Sequence, residues 1–395
     1  MKRLVSHVRA YALAAIVAAS PALAQEPAPA APIIGEIEQI HAFTGAMPTG
    51  VSIAETGRIF VNFPRWGDDV PFTVAELRDG ALHAYPDQAM NGASGRTGAG
   101  DPARDFVSVQ SVVADGRGML WVLDTAAPGF APPLPGAAKL VAIDLRTDRV
   151  VRTLAFPPNV LLPTTYVNDV RFDFRHGAAG HAYVTDSSLT GPGAIIVLDL
   201  ATGRALRRLS GHPSTSPDPA FDPVVEGRPM RVRGADGQVS RFTVASDGIA
   251  LSPDGATLYY SPLSSRRLYA VPTALLRDGT VTDAQLAAAV RDLGDKGASD
   301  GLEADADGAV YATDYEHNRI RKRLADGSWR TVAQDPRMLW PDTLSIGPDG
   351  YLYFTANQLH RQAGFNGGKD GRDKPYGLFR VKIDAAPAST ARPAR

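Results

Sequence analysis

The 395-residue chain contains no cysteine. That absence excludes disulfide bonds, thiolate metal sites and a cysteine nucleophile together. The fold must then rest on a core large enough to stand unaided. The chain also lacks an excess of either charge: 41 Lys and Arg oppose 42 Asp and Glu. A balanced charge gives no broad field for a polyanion, so nucleic acid is not an expected partner. Beyond the N-terminal segment, no run is apolar enough to cross a bilayer as a helix. Gly-x-Ser-x-Gly and His-Glu-x-x-His are both missing, and the eight His are scattered over expected loops, turns and edges.

What is present begins with the marks of export. Lys2 and Arg3 precede an apolar run over residues 10–19, and Pro21-Ala22-Leu23-Ala24 offers a small-residue cleavage site before Gln25. Residues 1–24 are therefore expected to be a signal peptide. The mature protein is expected to be periplasmic or extracellular, with no membrane attachment once the signal is removed. Residues 25–35 read as a Pro/Ala-rich linker and 385–395 as a disordered tail, which leaves 36–384 for the fold.

Gly at 38 and Pro at 31 residues favour a fold with many tight turns over a helical bundle. Four segments share one grammar: VQSVVADGRGMLWVLDT (109–125), SDGIALSPDGATLYYSP (246–262), SDGLEADADGAVYATD (299–314) and PDTLSIGPDGYLYFTAN (341–357). Each has a strand pattern, a turn built on Asp-Gly, and a second strand rich in aromatic and β-branched residues. Looser copies start at residues 49 and 168. Most units continue into a second strand pair, as in KLVAIDLRTDRVVRTLAF (139–156) and GAIIVLDLATGRALRRLSG (193–211). A four-stranded unit repeated about six times predicts an all-β, six-bladed β-propeller. A pair of β-sandwiches is the competing architecture, but it gives no reason for the grammar to recur in both halves. Ring closure requires the termini to share a blade, with EIEQIHAF (36–43) beside GLFRVKI (377–383). Residues 212–245 read as an insertion, and residues 273–292 break the pattern with a short surface helix capped by Thr282 or Asp283.

Within SDGLEADADGAVYATD, residues 303–314 approach the spacing of a calcium-binding loop. The recurrence of the same turn in the other units favours a hairpin instead. In a propeller, the residues that open each inner strand converge at one end of the axis. Here they are Thr49-Gly50, Gln110-Ser111, Asn168-Asp169, Asp247-Gly248, Asp300-Gly301 and Asp342-Thr343. A ring of carboxylates and amides suits a hard cation or a polar ligand. The plainer alternative is that each Asp only ties down backbone N–H groups where a loop meets a strand.

MPTGVSIAETGRIFVNFPRWGDDVPFTVAEL (47–77), YVNDVRFD, DGIALSPDGATLYYSPL and WPDTLSIGPDGYLYFTANQLHR, in this order, resemble the yellow / major royal jelly protein family. The resemblance covers nearly all of 40–380. It implies a secreted six-bladed propeller, and family members range from melanin-related proteins with dopachrome-converting activity to small-amine binders. A more distant resemblance is to gluconolactonase / senescence-marker propellers, where a divalent metal polarises a lactone carbonyl and activates water. Asp300-Gly301-Leu302 is similar to its metal-binding Asp segment, Asp247 stands where it has a metal-binding Asn, and Asn168-Asp169 is similar to its substrate-side segment; a channel enzyme would take Asp247, Asp300 and Asn168 as ligands of one divalent cation, calcium or another, with Asp169 or Asp342 as a candidate base. The departure is in the first blade, where Met47-Pro48-Thr49-Gly50 offers no carboxylate.

Three functions stay open at this stage. One is a channel enzyme, either a metal-assisted lactone or ester hydrolase or an isomerase of the dopachrome-converting kind. Another is a non-catalytic, monomeric binding protein for a small polar or aromatic ligand. The third is a protein-interaction scaffold. Asn168, Asp169, Asp247, Asp300 and Asp342 are the candidate channel residues. Protein purified from its native host is expected to begin at Gln25 in N-terminal mass spectrometry; an intact Met1 overturns the export reading.

Overall fold

A computed structural model describes residues 33–92 and 100–390. The expected signal peptide, most of the linker and residues 391–395 lie outside the described residues. Six four-stranded antiparallel sheets follow one another along the chain and make the six-bladed propeller. Blade 1 runs from Gly50–Ile53 through Ile59–Asn62 and Val74–Arg78 to Ala81–Ala84; blade 2 runs from Val109–Ala114 to Arg149–Ala155. Blades 3 and 4 open with Val167–Asp173 and Ser246–Leu251, and blades 5 and 6 with Leu302–Ala304 and Pro341–Ile346. Sequence alternation follows burial outward from the axis. Inner and second strands are almost wholly buried, whereas the outermost strand of blade 2 is mostly exposed. Phe60, Val112, Leu120, Val122 and Val141 interlock between blades 1 and 2, the face-to-face sheet packing that a continuous apolar ring requires.

The terminal strands close the ring as the sequence predicts. Ile37–Phe43 pairs antiparallel with Tyr376–Lys382, from Ile37 opposite Val381 to Phe43 opposite Tyr376. The hairpin reading of residues 303–314 also holds. Asp305 Oδ1 accepts the N–H groups of Asp307 and Ala309 at 3.1 and 2.9 Å, and Oδ2 accepts from Tyr311 Oη and Lys322 Nζ, both at 3.0 Å. Asp115 makes the corresponding turn in blade 2, with Trp121 Nε1 as its side-chain donor at 3.1 Å. The short helix is Asp283–Ala289, with Thr282 and Gln285 forming a capping box.

Two expectations are corrected. Residues 291 and 292, read as part of the helical interruption, instead begin Arg291–Asp295, the outer strand of blade 4. The helices Thr273–Arg277 and Asp283–Ala289 are inserted between the third and fourth strands, and their 3.6-residue period hides the strand behind them. The tail from 385 is ordered as far as 390. Ala386 O accepts from Ala306 N–H at 2.9 Å, Thr390 O accepts from Phe174 N–H at 2.9 Å, and Thr390 Oγ1 donates to Asp115 O at 2.7 Å. Its small residues give no periodic signal, and backbone bonds to blades 5 and 3 with the Thr390 hydroxyl bond to blade 2 supply the order that composition does not.

The insertion forms two small hairpins, Val224–Val225 with Arg228–Pro229 and Arg231–Arg233 with Val239–Arg241. Phe221, Met230 and Phe242 anchor it in the same core cluster as Trp340 and Tyr315.

A carboxylate at the end of a second strand fixes how a loop feeds the inner strand. Asp124 accepts the N–H groups of Val107, Ser108 and Ala126 at 2.8, 2.9 and 3.0 Å, and the Lys139 ammonium at 2.9 Å. Both members of the Lys139–Asp124 pair are fully buried. Asp186 does the same in blade 3, through Tyr166 N–H, Thr165 Oγ1 and Arg207. Asp124→Ala leaves a buried ammonium and three backbone donors without their acceptor, and should cost about 3–5 kcal/mol in denaturant unfolding. A loss below about 1 kcal/mol contradicts this role.

Candidate functional site

Convergence of the inner strands sets the geometry of the site. In blades 4 and 5 the residue after the channel Asp is Gly, and close approach demands it. A Cβ on Gly248 would lie 2.4 Å from Asp300 O, and one on Gly301 would lie 2.3 Å from Asp342 O. These glycines let neighbouring inner strands touch backbone to side-chain-free backbone, and the preceding carboxylates are brought together as a result.

Asp247, Asp300 and Asp342 line one axial cavity of about 390 Å³ with Asn168 and Gln110. Four of the five candidate residues are thus gathered as expected. Asp169 does not line that cavity: its carboxyl is hydrogen bonded to Ser111 and feels Arg171. Arg171 belongs to a separate cavity of about 320 Å³ toward the far end of the inner strands, where it lies 3.5 Å from Glu303. Residues 387–390 line that lower space.

The three upper carboxylates are 4, 8 and 7 % exposed and make no ion pair with any described cation. Neutral donors hold them: Trp340 Nε1 to Asp300 Oδ2 at 2.7 Å, Asn357 Nδ2 to Asp342 Oδ2 at 2.6 Å, and the Ser187 hydroxyl 3.1 Å from Asp247 Oδ2. Burial pushes all three carboxyls up. The neighbouring carboxylates push Asp247 and Asp342 further in the same direction. Asp300 is pushed up to about 7 by burial, against the pull of its Trp340 hydrogen bond. Asp300 lies near enough to Asp247 for its charge to favour a proton on Asp247. Behind them is Lys296, fully buried, with Nζ on Gly297 O at 3.0 Å. Burial pushes its ammonium down to about 7, partly offset by Asp314, Asp295, Asp247 and Asp300.

Above the carboxylates the wall is aromatic. Trp66 stacks on Phe130 at 4.9 Å, Phe130 stacks on Tyr166 at 4.5 Å, and the Tyr166 hydroxyl accepts from Trp66 Nε1 at 2.8 Å while donating to Gln110 Oε1 at 2.9 Å. Phe242 and Phe365 form the opposite side, with ring centroids 5.7 Å apart. Trp340 lies beneath, stacked on Tyr315 at 3.9 Å. The sequence points to the strand openers but not to Tyr166, Phe130, Phe242, Ser187, Asn357 or Lys296. Ser187 alone carried a local signal, since it follows the strand-end Asp186.

The donor set for a metal is incomplete. Among the described residues no three His, Cys, Asp or Glu side chains are grouped to hold an ion. The blade 1 position that would complete the ring is Thr49, whose hydroxyl accepts from Asn62 Nδ2 at 2.9 Å. Asp247, Asp300 and Asn168 line the same cavity, without a third carboxylate, His or Cys among the described residues spaced with them to hold an ion.

Six four-stranded blades around an axial cavity define the chain as a six-bladed β-propeller. The chain belongs to the major royal jelly protein family, whose sequence profile matches residues 107–385. It is 32% identical over 254 residues to protein yellow of Drosophila melanogaster, a match that covers 60% of this chain and 43% of that protein. The chain thus spans less than half the length of that relative. Its fold is similar to a gluconolactonase of Xanthomonas campestris, at a TM-score of 0.52 and 14% identity over 90% of this chain and 96% of that one. It is also similar to a luciferin-regenerating enzyme, at a TM-score of 0.51 and 13% identity over 90% of this chain and 98% of that one. At these identities the likeness is one of fold alone. No helix among the described residues is long and apolar enough to cross a membrane.

Asp300 carries its proton more firmly folded than unfolded, where its ordinary value is 3.8. Its stabilising contribution is full below that value and is lost as pH rises through about 7. Asp300→Asn keeps the Trp340 acceptor and removes the charge. The variant should gain about 1–3 kcal/mol over wild type at pH 8 and lose most of that gain at pH 5. Equal differences at the two pH values in thermal unfolding would count against the assignment.

Proposed function

We propose that the protein is an exported binder of a small organic cation with an aromatic or flat apolar body, taken up in the axial cavity. One observation carries this reading: three buried carboxylates without a protein counter-ion form the floor of a cavity walled by Trp66, Phe130, Tyr166, Phe242 and Phe365. A protonated amine seated there supplies the positive charge that the raised carboxyls lack and gains the attraction of the aromatic faces. The rings bury the apolar body, and Asn168 and Gln110 offer neutral hydrogen-bond partners at the same depth. Export rests on the basic, apolar and small-residue pattern of residues 1–24.

A second reading uses the same groups as acid and base. A carboxyl pushed up to about 7, as that of Asp300 is, can take a proton from one atom of a cyclic substrate and return it to another, which is a tautomerisation. The raised Asp247–Asp300 pair favours it, with Asp342 the next carboxyl on the wall. The incomplete donor set argues against metal-assisted lactone hydrolysis, and no step is assigned to a metal.

Calorimetric titration of aryl-alkyl amines against the corresponding neutral alcohols separates these cases. The amines should bind and release protons to buffer, the alcohols should bind at least about tenfold more weakly, and Asp300→Asn should lose about tenfold toward the amines alone. Equal binding of alcohol and amine would remove the cation reading. Turnover of a cyclic substrate that is abolished by Asp247→Asn would move the assignment to the tautomerase.

A further inference from the structure

The insertion builds a second concavity beside the axial cavity, and the binding reading above makes no use of it. Its sides are the hairpin Arg231–Arg233/Val239–Arg241, the turn joining Val224–Val225 to Arg228–Pro229, and the loop that follows Leu359–Arg361. It encloses about 880 Å³. Arg228, Arg231, Arg233, Arg361 and Lys369 line it, against one carboxylate, Glu226. In a chain of net charge −1 this is a concentrated local excess of positive charge.

Two of these cations already have partners. Arg361 clamps Glu226, with Nε 2.8 Å from Oε2, and Arg231 is paired with Asp222. Arg228, Arg233 and Lys369 are exposed, and their side chains have no hydrogen-bond or ion-pair partner among the described residues. The backbone fixes them relative to one another. Gly367 N–H donates to Arg233 O at 3.1 Å, and Gly368 lies against Ala235, so the loop bearing Lys369 is seated on the hairpin bearing Arg233. Three like charges held around a concave surface repel one another until a counter-ion enters. Phe365 borders both spaces, so a ligand in this groove would be next to the mouth of the axial cavity.

We propose that this groove is a binding site for a compact oligo-anion, a small molecule bearing two or more phosphate or carboxylate groups, held by Arg228, Arg233 and Lys369. The guanidinium forks of Arg228 and Arg233 suit bidentate contact with planar or tetrahedral oxyanions, and Lys369 adds a point charge from the facing loop. Cations on three separate elements select an anion with more than one charged group over a single halide or acetate. Arg361 and Arg231 keep their own carboxylates and shape the walls.

Titration calorimetry at low ionic strength with inorganic triphosphate, and in parallel with citrate, tests the site. Wild type should bind at least one of the two saturably with a stoichiometry of one. Stronger binding of triphosphate assigns phosphate ligands, and stronger binding of citrate assigns carboxylate ligands. The triple variant Arg228→Ala/Arg233→Ala/Lys369→Ala should bind at least about tenfold more weakly. These side chains have no partner to lose, so its melting temperature should be unchanged, and it should still bind amines in the axial cavity. Absence of saturable binding to wild type, or equal binding by the triple variant, overturns the proposal without touching the axial site.

Discussion

Contact between the inner strands at Gly248 and Gly301 is the constraint from which the site follows. The carbonyls of Asp300 and Asp342 occupy the space that a side chain at these positions would need. Strands that approach so closely cannot keep the residues just before them apart. Asp247, Asp300 and Asp342 are consequently forced into one buried space, where bulk water cannot screen their repulsion. Burial and proximity act in the same direction, and the cluster relieves itself by holding protons.

The surroundings preserve this tension. Trp340, Asn357 and Ser187 give the carboxyls hydrogen bonds without giving them a counter-charge. Lys296 is the nearest candidate for neutralisation, yet its ammonium is bonded to Gly297 O and is itself held down by burial. Elsewhere the fold pairs its buried charges closely, as Lys139 with Asp124 and Arg207 with Asp186. Among the described residues, buried carboxylates gathered without a paired cation suit a site kept ready for something the protein does not itself supply, in keeping with the binding proposed above.

Much of the ring was legible because each blade is local. A hairpin with Asp-Gly at its turn and alternating residues on both sides needs only adjacent sequence, so the blade count and the terminal closure could be read directly. The openers Asn168, Asp247, Asp300 and Asp342 were legible for the same reason: they precede recognisable strands. The outer strand Arg291–Asp295 was obscured by the helices that interrupt its blade. Asp169 precedes no change of pattern that would reveal its turn toward Ser111 and Arg171. The aromatic wall was the least accessible. Phe130 ends a short 3-10 turn and Phe242 lies in an irregular segment, and their placement on the same cavity depends on connections from separate blades. The ordered tail is a similar case, since its Ala, Pro and Ser residues are placed by carbonyls and amides far away in sequence.

That tail also makes the two ends of the axis unequal. Residues 386–390 reach blades 5, 3 and 2 and line the lower cavity, with the Arg171–Glu303 pair above them. On the binding proposed above, the mouth between Trp66 and Phe365 is then the doorway of the occupant. An occupant that enters there would leave by the same mouth before the next could follow. Arrivals and departures share one queue, and the residence time of the occupant sets the pace for both.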